Sequence, residues 1–148
     1  MKRKLLIPIF FSFILTPMFF IYAKEPIKIL LVPGHDNEIW GAQYGNVKEA
    51  DMTLALANRI YDQLKKDKRF TVYITRNKDG YIKKFQDYFT NHEADIIAFK
   101  ESAKKENRDK IATGTFIEQE SVPHVVVKPQ TSIILYGINK WANENAID

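Results

Sequence analysis

Ile27 to Glu49 reads IKILLVPGHDNEIWGAQYGNVKE, and this stretch decides the fold. Ile27 to Val32 is a short, nearly continuous apolar run, broken only by Lys28. Such a run suits a buried strand in a sheet covered on both faces. Pro33-Gly34 ends it, and His35 follows at once. Asp36 to Lys48 has no regular period and contains Asn37, Gly41, Gly45 and Asn46, so a long loop is expected there. Long loops inside compact domains are often functional. Glu49 closes the stretch, just before a helical pattern begins.

From Ala50 to Lys66 the period is helical, with Met52, Leu56, Ile60 and Leu64 stepping by four beside Ala57 and Tyr61. Lys65, Lys66 and Lys68 suit the negative pole at the end of that helix. Phe70 to Thr75 alternates as a second strand, and Arg76-Asn77-Lys78-Asp79-Gly80 ends it with turn residues. Strand, helix and strand with short joints make a βαβ unit, so the two strands should be parallel. Tyr81 to Ile111 reads as one long helix with room for a break near Asn91. Its seam is Ile82, Phe85, Phe89, His92, Ile96, Phe99 and Ala103. The charged opposite face reads as a solvated surface. Thr113 to Gln130 is expected to be a loop with a short strand or arm at His124 to Val127. Thr131 or Ser132 can cap a last helix that places Ile134, Ile138 and Trp141 on one side. The fold class is therefore α/β: a mostly parallel twisted sheet with flanking helices, incomplete at the C-terminus, and a long helical insertion over about 81–130.

The 148 residues fit one domain at most. Residues 1–23 are set apart: Lys2, Arg3 and Lys4 precede an apolar run from Leu5 to Tyr22, and Ala23 closes it before polar chain. That layout is a secretory signal peptide, with an uncleaved membrane anchor as the alternative. Either sends residues 24–148 out of the cytoplasm, to the periplasm or the extracellular side of the envelope. There is no cysteine, so core packing or a metal must hold an exported domain together. Lipoprotein anchoring and thiol chemistry are excluded with it. Three of the four net positive charges belong to Lys2, Arg3 and Lys4, and no basic stripe interleaved with aromatics appears. Nucleic acid is not an expected partner. A membrane is one only through the N-terminal segment, if that is uncleaved.

His35 and Glu49 are the candidate metal ligands. The carboxyl end of a strand is where open α/β sheets place their sites, and imidazole is a common zinc donor. A helix start lies over the same sheet edge, so Glu49 can meet His35, although a carboxylate there also suits the helix dipole. His92 on the seam suits a packed or capping role. His124, between Pro123 and three valines, is a weak stand-in for a further ligand. Trp40 and Tyr44 suit contact with a sugar or peptide and suit covering the core edge equally.

VPGHDNEIWGAQYGNVKEADMTLALANRIYDQL, from Val32 to Leu64, resembles the opening of the zinc-dependent N-acetylmuramoyl-L-alanine amidases of the Amidase_3 type. His35 and Glu49 match the first two Zn2+ ligands of that family. Thr75-Arg76 with Asp79 is similar to its strand-ending Thr-Arg-x-x-Asp. Ala142-Asn143 and Ala146-Ile147-Asp148 resemble the helix end before its next strand. The resemblance covers Ile27 to Asp79 and extends to Ile133 to Asp148. It implies zinc-dependent hydrolysis of the amide between N-acetylmuramic acid and L-alanine in peptidoglycan, with water activated at zinc. The family's second histidine follows in a Ser-x-His-x-Asn context, and its general-base glutamate comes later still. Both fall beyond Asp148, so no catalytic residue is assigned here, and a truncated chain, inactive alone, is expected. Asp36 stands where the family usually has glycine. Two other readings stay open: a non-catalytic exported domain that binds cell wall or a partner, and an exported α/β domain whose histidine and glutamate are incidental.

Overall fold

A computed structural model of the chain describes residues 25–117 and 128–147. The expected signal peptide or anchor over 1–23, His124 and the arm at 124–127 lie outside these residues. The opening apolar run forms β1 (Ile27–Leu31). The loop after His35 holds two short strands, β2 (Gln43–Tyr44) and β3 (Val47–Lys48), paired antiparallel. α1 (Glu49–Leu64) follows directly, and β4 (Phe70–Ile74) returns beside β1. The two pair in parallel, from Ile27 opposite Phe70 to Leu31 opposite Ile74. This is the expected βαβ unit, since parallel neighbours need a crossover connection. β5 (Arg76–Asn77) and β6 (Gly80–Tyr81) close a small hairpin at the far end of β4.

The expected long helix is two helices, α2 (Lys83–Asn91) and α3 (Glu93–Ala112). They meet at His92, whose φ of −118° and ψ of 22° leave the helical region. Phe85, Phe89 and Ile96 of the seam are buried, but His92 is exposed. The bend swings its ring outward, 4.7 Å from the Tyr88 ring and with Nδ1 3.5 Å from the Asp95 carboxylate. It occupies the cap between the helices and does not pack in the seam. α4 (Pro129–Glu144) starts ahead of the caps expected at Thr131 or Ser132. Lys128 is the cap residue and Pro129 occupies the first turn, where a fixed φ and a missing N–H do no harm. α4 ends with Ala146 at φ 48° and Ile147 N–H donating to Ala142 O at 3.1 Å, a wrapped helix end.

The core lies on one face of the two main strands. Phe85, Phe89, Ile96, Ile133, Ile138 and Trp141 form it, and Leu30 and Tyr73 of the sheet pack against it. Gly137 lets α4 approach closely: a Cβ there would sit 2.9 Å from the Phe89 ring. On the other face, α1 is turned away from the expected Met52–Leu56–Ile60 stripe. Its buried residues are Ala50, Leu54 and Ala57, while Met52 is 62 % and Leu56 60 % exposed. Ala50 and Ala57 let the helix settle close to β1 and β4. The larger stripe then overhangs the edge of β1 that no described strand pairs with. Leu31, Val32, Leu56 and Ile60 line an apolar groove of about 240 Å³ there. α4 finishes at the start of β1, where Lys28 Nζ donates to Asn145 O at 3.0 Å. The charged face of α3 is solvated, with ion pairs such as Lys105–Asp109 and Lys110–Glu106 along it. No helix of the described residues is long and apolar enough to cross a membrane.

Candidate metal centre

The site is built at the carboxyl edge of β1. Pro33 and Gly34 turn the chain, and His35 adopts φ 61°. That left-handed conformation costs a non-glycine residue about 1–3 kcal/mol, so surrounding contacts must hold it. Glu49 is the first residue of α1, and the crossover brings it back over the same edge. His35 Nε2 lies 3.3 Å from Glu49 Oε2, with the side chains 34 % and 44 % exposed. The two residues singled out by the sequence are thus brought together within reach of solvent.

The loop between them is ordered by its own polar groups. Asp36 Oδ1 accepts from Glu38 N–H at 2.9 Å and Ile39 N–H at 2.8 Å, while Asp36 N–H donates to Ile39 O. This side-chain turn takes over loop-shaping where the related pattern has glycine. Trp40 Nε1 donates to Asn37 O at 2.6 Å, and Lys48 Nζ sits 3.5 Å over the Trp40 ring. Trp40 is half exposed and Tyr44 almost fully so. The loop then folds onto α1. Ala50 N–H donates to Trp40 O, Glu49 N–H donates to Ala42 O, and Ala42 N–H donates to Glu49 Oε2 at 2.9 Å. Gly41, at φ 73°, arches over the pair. A Cβ on it would lie 2.5 Å from Glu49 Oε2 and 2.6 Å from His35 Nε2.

These distances bear on a metal. Zinc with bonds of about 2.0–2.1 Å at a tetrahedral angle of about 109° sets its donors about 3.3 Å apart. The His35–Glu49 separation has that value. The donors are an imidazole nitrogen and a carboxylate oxygen, both suited to zinc, and the bare Cα of Gly41 leaves the space beside them open. The Ala42 N–H orients the carboxylate in the way hydrogen bonds usually orient metal ligands. Two donors fit; among the described residues no third His, Cys, Asp or Glu joins them.

The sequence did not reveal the part played by Arg76. It is 1 % exposed and runs beneath the turn. Nη2 donates to Gly34 O at 3.0 Å, Ala50 O at 2.8 Å and Thr53 Oγ1 at 3.3 Å, and Nε donates to Pro33 O at 3.3 Å. Thr53 Oγ1 also donates to Gly34 O at 2.7 Å. The available signals were an arginine at a strand end and its place in the Thr-Arg-x-x-Asp resemblance, with no indication of its distant partners. On the α2 and α4 side of the same edge a cleft of about 420 Å³ opens. Asp36, Glu38, Asp79, Tyr81 and Gln130 are among its lining residues. Burial pushes the Tyr81 phenol up from its ordinary pKa, and the negative charge of Asp36 adds to this.

Comparison with known proteins places this geometry in context. Residues 29–113 match the family model described as N-acetylmuramoyl-L-alanine amidase. The chain is 40 % identical over 60 residues to N-acetylmuramoyl-L-alanine amidase AmiC of Escherichia coli O6:H1, covering 39 % of this chain and 14 % of the relative. It is 39 % identical over 84 residues to probable N-acetylmuramoyl-L-alanine amidase AmiB of Haemophilus influenzae, covering 55 % of this chain and 18 % of the relative. The matches thus span less than a fifth of either relative. No solved structure matches significantly.

Proposed function

Because the chain belongs to the N-acetylmuramoyl-L-alanine amidase family, we propose that it carries half of a zinc site for peptidoglycan hydrolysis. The bond cleaved is the amide between N-acetylmuramic acid and L-alanine, and the domain works after export, in the periplasm or outside the cell. The observation that carries this reading is the 3.3 Å approach of His35 Nε2 to Glu49 Oε2 under Gly41. His35 and Glu49 would hold Zn2+. When bound, zinc supplies Lewis acidity toward water and the scissile carbonyl. The chain's own residues prepare the place: Ala42 N–H fixes the Glu49 carboxylate, and Gly41 keeps the space open. Trp40 and Tyr44 offer exposed rings to sugar or peptide.

A third ligand would have to come from outside the described residues, and the fold offers it a place beside β1. α4 ends at the start of β1, and β1 has an edge unpaired among the described residues. A strand entering there would run parallel to β1 and finish next to His35. The apolar groove at Val32, Leu56 and Ile60 would be covered with it. We assign residues 24–148 to a partial catalytic domain and about 81–130 to an insertion; the histidine of the related Ser-x-His-x-Asn pattern would suit such a strand. A second reading, a non-catalytic domain that binds cell wall, is favoured by the count of two donors among the described residues.

Dye release from labelled cell walls separates the two. Residues 24–148 with added zinc should release none. The same chain continued through the Ser-x-His-x-Asn strand and the later glutamate should release dye. Release by 24–148 alone would refute the need for a third ligand. Retention of dye by the continued chain, together with binding to insoluble cell wall, would favour the second reading.

A further inference from the structure

We infer that Arg76, acting with Thr53, is the positioning residue that keeps His35 aimed at Glu49; this rests on the metal-site reading above. The reason lies in which carbonyls the guanidinium takes. A buried cation usually pairs with a carboxylate, but the hydrogen bonds of Arg76 go to Pro33 O, Gly34 O, Ala50 O and Thr53 Oγ1, all neutral. Two of these acceptors belong to the turn that carries His35. The other two belong to the first two turns of the helix that begins with Glu49. One planar group therefore ties together the two segments that supply the pair.

The Gly34 carbonyl is the critical acceptor. It receives Arg76 Nη2 at 3.0 Å and Thr53 Oγ1 at 2.7 Å, which occupies both of its lone pairs. The peptide from Gly34 to His35 is planar, so fixing its oxygen fixes the plane from which the φ of His35 is measured. His35 sits at φ 61°, which its Cβ disfavours. Released, the peptide would rotate toward the ordinary region of negative φ and carry the imidazole away from Glu49. Thr53 is anchored in α1, so the clamp refers the turn to the helix. A lysine at 76 would keep the charge but lose the planar fork that reaches several carbonyls at once.

Three variants of the full chain test this: Thr53→Val, which removes the hydroxyl at nearly constant shape, Arg76→Lys, and Phe85→Leu as a control that weakens the core far from the turn. Two readouts are taken. One is the nuclear Overhauser contact between the His35 ring and Gly41 Hα, which needs no metal. The other is Zn2+ affinity by calorimetry, measured with the same changes in a chain completed by its third ligand. Wild type and Phe85→Leu should keep the contact at equal strength. Thr53→Val and Arg76→Lys should weaken it, and zinc affinity should fall by roughly 10–100-fold, as for other groups that orient metal ligands. An undiminished contact in both variants would overturn the inference, as would an equal loss in Phe85→Leu. A wild-type protein, completed by its third ligand, that shows the contact but takes up no zinc would refute the metal reading, while the contact still decides the role of Arg76.

Discussion

In a chain completed by its third ligand, Gly41→Ala should abolish zinc uptake and leave the domain folded. The added methyl would stand 2.5 Å from Glu49 Oε2 and 2.6 Å from His35 Nε2, well inside contact distance. Both side chains are partly exposed and can swing into solvent, so the clash is relieved by separating the pair. The backbone at φ 73° adds strain of about 1–2 kcal/mol for an L-residue. Gly45 provides the control. It has φ 58°, and nothing lies within 4 Å of its would-be Cβ. Gly45→Ala should therefore pay a similar strain penalty and keep its zinc. Calorimetric titration of both variants checks this; equal zinc affinity in the two would mean that the space beneath Gly41 is not where the ion sits.

Phe85→Ala carries the largest expected stability loss. Phe85 is fully buried, with its ring centroid 4.9 Å from that of Trp141 and 6.1 Å from that of Phe89. Truncation removes the ring and leaves a cavity where α2 meets α4 and the sheet, at a cost of about 3–5 kcal/mol. Domains of this size have only about 5–15 kcal/mol in total. Urea unfolding should show a midpoint reduced by about a fifth or more. A loss below about 1 kcal/mol would mean that α2 and α4 do not share one core with β1 and β4.

The sequence made some of this legible and concealed the rest, for physical reasons. β1, α1 and β4 were readable because their periods are local and their joints short. The break at His92 was close to Asn91 because the seam residues keep a steady step on either side of it. The face that α1 buries was not readable. Ala50, Leu54 and Ala57 are buried while Met52 and Leu56 stay exposed, because the described strands β1 and β4 meet only that side of the helix, a tertiary fact absent from the helix itself. Strands as short as Gln43–Tyr44 and Val47–Lys48 carry too few residues to show alternation. At the site, His35 and Glu49 were visible through the strand end and helix start that deliver them. The clamp was hidden, since Arg76 reaches carbonyls up to 43 positions away through backbone atoms that no residue type announces.

The most direct test of the account is a zinc titration across a double-mutant cycle: wild type, His35→Ala, Glu49→Ala and both together, in a chain completed by its third ligand. If one ion is shared, each single change should weaken binding by more than about 100-fold, beyond what lost supporting groups cost. The double variant should then be little worse than either single, because the site is already broken. Unchanged affinity in either single variant, or losses that simply add, would mean that His35 and Glu49 do not grip a common ion.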